Sequence, residues 1–225
     1  MVSKLPRWVE YGAFVLAFVA GSVNAIGLLG FKHQSISHLS GTATLVGTGL
    51  SDGAFSDTLH LLGILLSFLL GAALTGSVLP SRSLKLGRHY DSLLVVEGGL
   101  LLISIYFLND GSLLGHYTAS AACGLQNGFA STYSGAVVRT THVTGIFTDL
   151  GLMLGARLRG ESFDRRKAIL FVLIISGFIS GGGLGAYLFN AMQFFALAIP
   201  ACICFLLALG YRVYRISARR RLRQA

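Results

Sequence analysis

The most polar stretch inside the apolar part of the chain reads Arg139-Thr140-Thr141-His142-Val143-Thr144-Gly145-Ile146-Phe147-Thr148-Asp149-Leu150-Gly151. A second stretch reads Ser37-His38-Leu39-Ser40-Gly41-Thr42-Ala43-Thr44-Leu45-Val46-Gly47. Both contain the pattern His-x-(Ser/Thr)-Gly-x-x-Thr-x-x-Gly, which we call the His motif. Because the two copies lie about half a chain apart, they predict a duplicated architecture.

The composition is typical of a membrane protein. The 225 residues are 53% hydrophobic and only 12% charged, with a mean hydropathy of +0.70, whereas a soluble domain has about 25% charged residues. The net charge of +9 is concentrated in short loops and in the tail, as the positive-inside rule requires of cytoplasmic segments. We therefore predict a multi-pass protein of the cell (inner) membrane. Nucleic-acid binding is excluded, because it needs basic residues on a folded polar face.

Six apolar runs are long enough to cross a bilayer, since a transmembrane helix needs about 17–25 residues. They cover residues 11–31, 59–79, 92–108, 113–133, 168–189 and 192–211. Two shorter segments, 39–50 and 143–156, are rich in Gly, Ser and Thr, and each begins at a His motif. These runs predict an all-α polytopic membrane protein.

The basic residues indicate whether the short segments cross. If all eight segments crossed, the loop with Arg82, Lys85 and Arg88 would lie opposite the N-terminus, against the positive-inside rule. If the short segments return to the side from which they enter, the basic loops and both termini lie in the cytoplasm, and only Lys32 lies outside. This arrangement predicts six spanning helices and two re-entrant half-helices that begin at mid-bilayer.

Two further matches follow the same order in both halves of the chain. The segment Gly21–Asn24 pairs with Gly124–Asn127, and Phe68–Leu74 pairs with Phe178–Leu184. Because the first helices of the two halves start on opposite sides, we predict inverted repeats within a single membrane domain. The predicted repeats cover residues 1–110 and 111–225, and the second ends in a basic tail at 212–225.

The His motifs predict a binding site at mid-bilayer. A helix N-terminus exposes unpaired N–H groups and about half a positive charge. Two such ends that face each other would suit a small polar solute, preferably an anion. The candidate substrate-binding residues are His38, Ser40, Thr42, His142, Thr144, Asn24, Asn127 and Arg139.

Several of these residues have a structural alternative. The histidines could hold the re-entrant turns by capping them, although their recurrence at equivalent positions favours a functional role. Asn24 and Asn127 could line the site or tie the loops in place. Arg139 could be a site residue or a cytoplasmic orienting charge.

Two acidic residues are candidates for coupling transport to an ion or proton. Glu97 lies far from either end of its apolar run, and an intramembrane carboxylate is a functional candidate by default. It could carry a proton or pair with Arg139 or with a histidine. Asp149 lies on the second short segment, where the first has Leu45, and a coupling role and a structural ion pair explain it equally well.

The chain resembles the YoaK-like family of small bacterial membrane proteins. The resemblance is carried by Asn24-Ala25 before His38–Thr44, and by Gly124–Asn127 before Arg139–Gly145. It implies a multi-pass protein of the inner membrane, and it implies no substrate.

We therefore predict a transporter or channel for a small polar, preferably anionic, solute. The alternative is a membrane protein that binds or regulates without transport. An intramembrane metal-dependent enzyme is least favoured, because the chain has no His-Glu-x-x-His, no Gly-x-Ser-x-Gly and no phosphate loop. We predict no enzyme activity, no cofactor and no metal site. Anionic lipid headgroups are expected at the basic tail, and the Gly-rich helix faces would permit a homodimer.

Overall fold

The computed structural model describes residues 8–30, 36–79, 89–134 and 138–224, with side chains up to Ser217. Every regular element in these ranges is a helix. The helices are α1 (Trp8–Gly30), α2 (Leu39–Ser51), α3 (Phe55–Val78), α4 (Tyr90–Asn109), α5 (Leu114–Ser134), α6 (Val143–Leu158), α7 (Arg165–Met192) and α8 (Ala198–Gln224), with a short 3-10 helix (Gln193–Leu197) between the last two.

The predicted runs coincide with these helices to within a few residues, except at the end of α8, which runs to Gln224 rather than residue 211, and near the last loop. There α7 continues to Met192 and α8 begins only at Ala198, whereas the sequence predicts the last run from residue 192. The reason is local, because Gln193 has a φ of 51°, in the left-handed region that ends an α-helix for most residues.

Four stretches of the described residues are long and apolar enough to cross a membrane. They are Trp8–Gly30, Phe55–Val78, Tyr90–Asn109 and Arg165–Ser217, and the last contains both α7 and α8. Helix α5 has 21 residues but is not among the four, and its sequence carries His, Thr, Ser, Gln and Asn. The protein is therefore helical and has the character of a multi-pass membrane protein.

Helices α1 and α7 run parallel in close backbone contact. A Cβ atom at Gly21 would overlap the carbonyl oxygen of Phe178, and a Cβ atom at Gly181 would overlap that of Phe18. The Ser22 hydroxyl donates a 2.9 Å hydrogen bond to the Gly181 carbonyl oxygen. Small residues permit this approach, which lets helices gain packing and hydrogen-bond energy where the hydrophobic effect is weak.

Helices α3 and α5 form a second parallel pair of the same kind. A Cβ atom at Gly124 would overlap the Phe68 carbonyl oxygen, and one at Gly71 would overlap that of Ala121. The Thr75 hydroxyl donates a 3.0 Å hydrogen bond to the carbonyl oxygen of Leu125 on α5. These are the glycines that the two sequence matches pair with Gly21 and Gly181.

Helix α4 runs antiparallel to both α5 and α8. Its Ser104 lies 2.7 Å from Thr118 near the start of α5, while the Tyr90 ring lies 5.9 Å from that of Tyr133 near the end of α5. On α8, a Cβ atom at Gly98 would meet the Phe205 ring. Helix α4 thus packs between α8 and the α5 helix of the second parallel pair.

One end of the bundle collects aromatic rings and ion pairs. The rings of Trp8 and Tyr133 lie 5.8 Å apart, so the start of α1 meets the end of α5. At the same end Arg166 binds Glu10 at 2.8 Å, which joins the starts of α1 and α7. We call this the aromatic end.

The placement of the basic loops is only partly described. Arg157 lies in the last turn of α6 and Arg159 follows that helix, while Arg165 and Lys167 lie in the first turn of α7. Lys32, Arg82, Lys85 and Arg88, on which the orientation argument also depends, lie outside the described residues. The cytoplasmic location of the termini and the limits of the repeats therefore stay predictions.

Candidate functional site

The residues before α2 are held between α1 and α5. Ile36 occupies the space that a side chain at Gly27 would need. The Ser120 hydroxyl of α5, which donates a 2.9 Å bond to the Ile64 carbonyl oxygen of α3, also lies 3.4 Å from the Ile36 carbonyl oxygen. The Asn24 amide oxygen accepts a 2.8 Å bond from the Ser37 hydroxyl. Because Asn24 precedes the end of α1 by six residues, the chain has turned back by roughly 9 Å before α2 begins.

The residues before α6 are held in a matching way by hydrogen bonds from α5, while Val138 packs in an apolar cluster that includes residues of α1. The Asn127 amide nitrogen donates a 2.8 Å bond to the Thr141 hydroxyl, and the buried Thr140 hydroxyl donates a 2.9 Å bond to the Gln126 side-chain oxygen. Asn127 precedes the end of α5 by seven residues, which corresponds to roughly 10 Å. In both copies, therefore, an asparagine of a long helix binds the residue just before the motif histidine.

Both helices that follow are short. Helix α2 has 13 residues and α6 has 16, or roughly 20 and 24 Å at 1.5 Å per residue, against about 30 Å for a hydrocarbon core. Most of each helix is exposed, with only Thr42 buried on α2 and only Ile146 on α6.

The motif histidines occupy the N-cap positions of these helices. Neither His38 nor His142 makes a side-chain cap bond, in contrast to Asp164, which accepts a 3.0 Å bond from the Lys167 backbone nitrogen at the start of α7. Each ring instead lies over the motif glycine, and a Cβ atom at Gly145 would overlap the His142 ring. The first-turn N–H groups are thus not capped by these side chains, and both imidazoles are exposed.

The two motifs approach the same face of α5. Ser120, which binds the residues before α2, and Asn127, which binds those before α6, are two helical turns apart, so they lie on one face at about 10 Å spacing. The described contacts thus bring the loops before both motifs to the central part of one helix.

The remaining predicted binding residues differ in exposure. Ser40, Thr144 and Arg139 are exposed, and the Ser40 hydroxyl lies 3.4 Å from Nε2 of His38. Thr42 is 2% exposed, and its hydroxyl donates to the His38 carbonyl oxygen at 3.4 Å. A threonine in this position stabilises the start of α2 rather than presenting its hydroxyl outward.

Glu97 lies in the protein interior at 2% exposure. Its Oε1 accepts a 2.9 Å bond from Nε2 of Gln126. Its Oε2 is buried without a hydrogen-bond partner among the described residues. The described contacts do not include the predicted pairing of Glu97 with Arg139 or with a histidine. The hydrogen bond between Glu97 and Gln126 is one that the sequence did not indicate.

Asp149 faces Lys167 of α7, with 3.7 Å between carboxylate and ammonium. The two side chains are 48% and 34% exposed, and exposed pairs contribute only about 0.2–1 kcal/mol. We therefore expect Asp149→Asn to lower the free energy of unfolding by less than about 1 kcal/mol, measured by denaturation in detergent. A loss of several kcal/mol would contradict this assignment.

A polar cluster that the sequence did not predict lies between α3 and α5. Nε2 of His60 is 2.8 Å from Nδ1 of His116, and Nδ1 of His60 is 3.0 Å from the Tyr117 hydroxyl. The only feature of the sequence that points to this cluster is that both histidines lie within a few residues of the start of an apolar run. Among the described residues, no group of three or more His, Cys, Asp or Glu side chains could hold a metal ion.

A cavity of about 550 Å³ opens at the aromatic end between α1, α4, α5 and α8. Its walls are apolar and aromatic, and none of the predicted site residues lines it. Such a lining suits an apolar ligand and offers little to a small anion, so the cavity and the His motifs are chemically distinct places.

Residues 12–210 match the model of a family described as "Protein of unknown function (DUF1275)". The chain belongs to the DUF1275 family. The matched region contains both His motifs, Glu97 and all the helical contacts described above except those of Trp8 and Glu10. This family assignment is consistent with the YoaK-like resemblance. No curated protein and no solved structure matches the chain.

Proposed function

We propose that this DUF1275 protein is a transporter or channel that binds a small polar solute, preferably an anion, between the N-termini of α2 and α6. One observation carries the proposal: two copies of the same uncapped, histidine-bearing helix start are held against one face of α5. Each contributes N–H donors and the positive end of a helix dipole. Such ends are sites for anionic groups in soluble and membrane proteins alike.

We propose further that α2 and α6 are re-entrant half-helices and that the other six helices span the bilayer as two inverted repeats. The lengths of α2 and α6 support this arrangement, as do the loops that turn back beside Asn24 and Asn127. The directions of the helices also support it. Helices α1 and α5 run in opposite senses, as do α4 and α8, and α1–α7 repeats the glycine packing of α5–α3.

The exposed polar faces of α2 and α6 favour a solute path over a purely structural role. Hydroxyls and imidazoles that face lipid would be left without water or partners, which is costly in hydrocarbon. Such groups are tolerated where they line a water-filled cavity. A second copy of the chain is the other way to cover these polar groups.

Glu97 and Asp149 remain the residues that we propose for coupling transport to a proton or an ion.

Flux measurements in liposomes test the proposed function. We expect the wild-type protein to conduct at least one member of a panel of small anions and neutral polar solutes. The variant with both His38→Ala and His142→Ala should lower that flux by about tenfold or more, the effect of losing roughly 1.4 kcal/mol of binding. The purified variant should unfold at nearly the same temperature as the wild type, because neither ring caps its helix.

His89→Ala is the matched control, because His89 is also an exposed N-cap histidine but lies outside the motifs. It should leave flux unchanged. Undiminished flux in the double variant would refute the site, and the absence of flux for every solute would refute transport within that panel.

The apolar cavity favours one second candidate, a membrane protein that binds a hydrophobic ligand without transport. Its aromatic walls, including Trp8 and Tyr133, would suit such a ligand. This candidate predicts no flux of any solute, together with thermal stabilisation by apolar ligands.

A further inference from the structure

Among the described residues, a chain of buried hydrogen bonds joins Glu97 to the start of the second motif, and no matching chain leads to the first. We propose that Glu97 is a proton-binding site whose state is transmitted through Gln126 and Thr140 to the start of α6. The proton would thereby regulate the α6 motif and leave the α2 motif unaffected. The regulatory role rests on the proposed transport function, whereas the structural coupling can be tested without it.

The surroundings of Glu97 make its two protonation states unequal. In the described part of the chain no ion pair joins it to a cation. The titratable groups that face it are the thiols of Cys123 on α5 and Cys204 on α8, which are weak hydrogen-bond donors. A proton on Oε2 would be a new buried donor, so gain or loss of the proton must rearrange the neighbouring bonds.

When Glu97 is ionised, the hydrogen bonds between Glu97, Gln126 and Thr140 can each run in only one direction. A carboxylate only accepts, so Gln126 must turn its amide nitrogen towards Glu97, as observed at 2.9 Å. Its amide oxygen then faces Thr140, whose hydroxyl donates to it at 2.9 Å. The ionised carboxylate thus determines the orientation of the Thr140 hydroxyl two residues before His142.

In the protonated state the directions reverse. Because Oε2 has no hydrogen-bond partner among the described residues, a proton there would be an unsatisfied buried donor, and it is satisfied only on the carboxyl oxygen that faces Gln126. The carboxyl group then donates to Gln126, whose rotated amide accepts through its oxygen. The amide nitrogen then faces Thr140, so the threonine hydroxyl must accept there and donate elsewhere. The amide oxygen of Asn127 lies 3.5 Å from the Thr140 hydroxyl oxygen and can accept this hydrogen bond. Because Asn127 also binds Thr141, the rearrangement reaches the motif.

The first motif differs at the two positions that make this connection. At the positions matching Gln126 and Thr140, the chain has Val23 and Ile36, and both are buried in an apolar cluster. The asparagine tie is retained through Asn24. At these two matched positions, therefore, only the second half carries polar side chains that link its motif to Glu97.

Hydrogen exchange measured by mass spectrometry on the full-length protein in lipid nanodiscs tests the proposal. We compare the first turns of α2 and α6 at mildly acidic and mildly alkaline pH, after correction for the intrinsic exchange rate. The α6 turn should change its protection by a few-fold to about tenfold, the range of one rearranged hydrogen bond, beyond any change at α2. Since each turn follows a histidine, a response common to both is assigned to the imidazoles.

Two variants separate proton binding from transmission. Glu97→Gln holds the site in a fixed neutral state, and Thr140→Val keeps the size of the side chain while removing the hydroxyl. Each should abolish the extra response of α6, and each leaves Gln126 itself unchanged. A response that persists in either variant, or a wild-type α6 turn that behaves as α2 does, would overturn the proposal. Since no solute is used, either result is independent of whether flux is found.

Discussion

Gly181→Ala should be among the most destabilising single substitutions in this protein. The added methyl group would overlap the backbone carbonyl of Phe18, and a backbone atom in the middle of a helix cannot rotate away as a side chain can. We expect a loss of about 1–3 kcal/mol or more in the free energy of unfolding, the range for overpacked sites. Unfolding in mixed micelles with increasing denaturing detergent measures this loss.

Gly183→Ala is the control on the same helix, because a Cβ atom at Gly183 meets nothing within 4 Å. It should be neutral or slightly stabilising, since alanine favours the helix by up to about 1 kcal/mol. The same contrast should hold between Gly71→Ala and Gly76→Ala on α3. Equal stability of the Gly181 and Gly183 variants would show that α1 and α7 are not packed as described.

Asn127→Leu should have the second large effect, and it should act on both stability and flux. The change keeps the side chain close to its original size but removes the 2.8 Å bond to Thr141. It leaves a partly buried hydroxyl without that partner, a loss of about 1–3 kcal/mol. Because the bond fixes the residue before His142, we expect flux to fall as well. Thermal unfolding and the liposome assay measure the two effects.

Asn24→Leu should act similarly through Ser37. Asn190→Leu is the control, because Asn190 is an exposed residue of a long helix and lies outside both motifs. If the Asn127 and Asn190 variants were equally stable and equally active, the asparagine ties would have no importance for the site.

The elements of the fold could be predicted from the sequence because they depend on local signals. Apolar run length gave the long helices, and the Gly-Ser-Thr segments after His38 and His142 gave α2 and α6. The glycine matches also indicated which positions are equivalent. The matches did not indicate that Gly21 packs against α7 and Gly181 against α1, because a match between two segments does not say which segments pack together.

The site could be predicted only in part, because side-chain contacts depend on helix rotation. Asn24 and Asn127 were identified as polar residues of apolar helices, but their partners Ser37 and Thr141 depend on how far each loop turns back. The contact of Glu97 with Gln126 depends on the crossing of α4 with α5, which no periodicity encodes. The burial of Thr42 has the same origin.

The close packing of α1 against α7 has a consequence for how the protein is made. Helix α1 is synthesised before α7, so its glycine face has no partner helix until α7 follows, more than a hundred residues later. At about 5–20 residues per second, this exposed face waits for roughly ten seconds or longer within the insertion machinery or the lipid. The nascent chain therefore depends on an insertase, a chaperone or the lipid itself to cover the glycine face of α1 until α7 is available to pack against it.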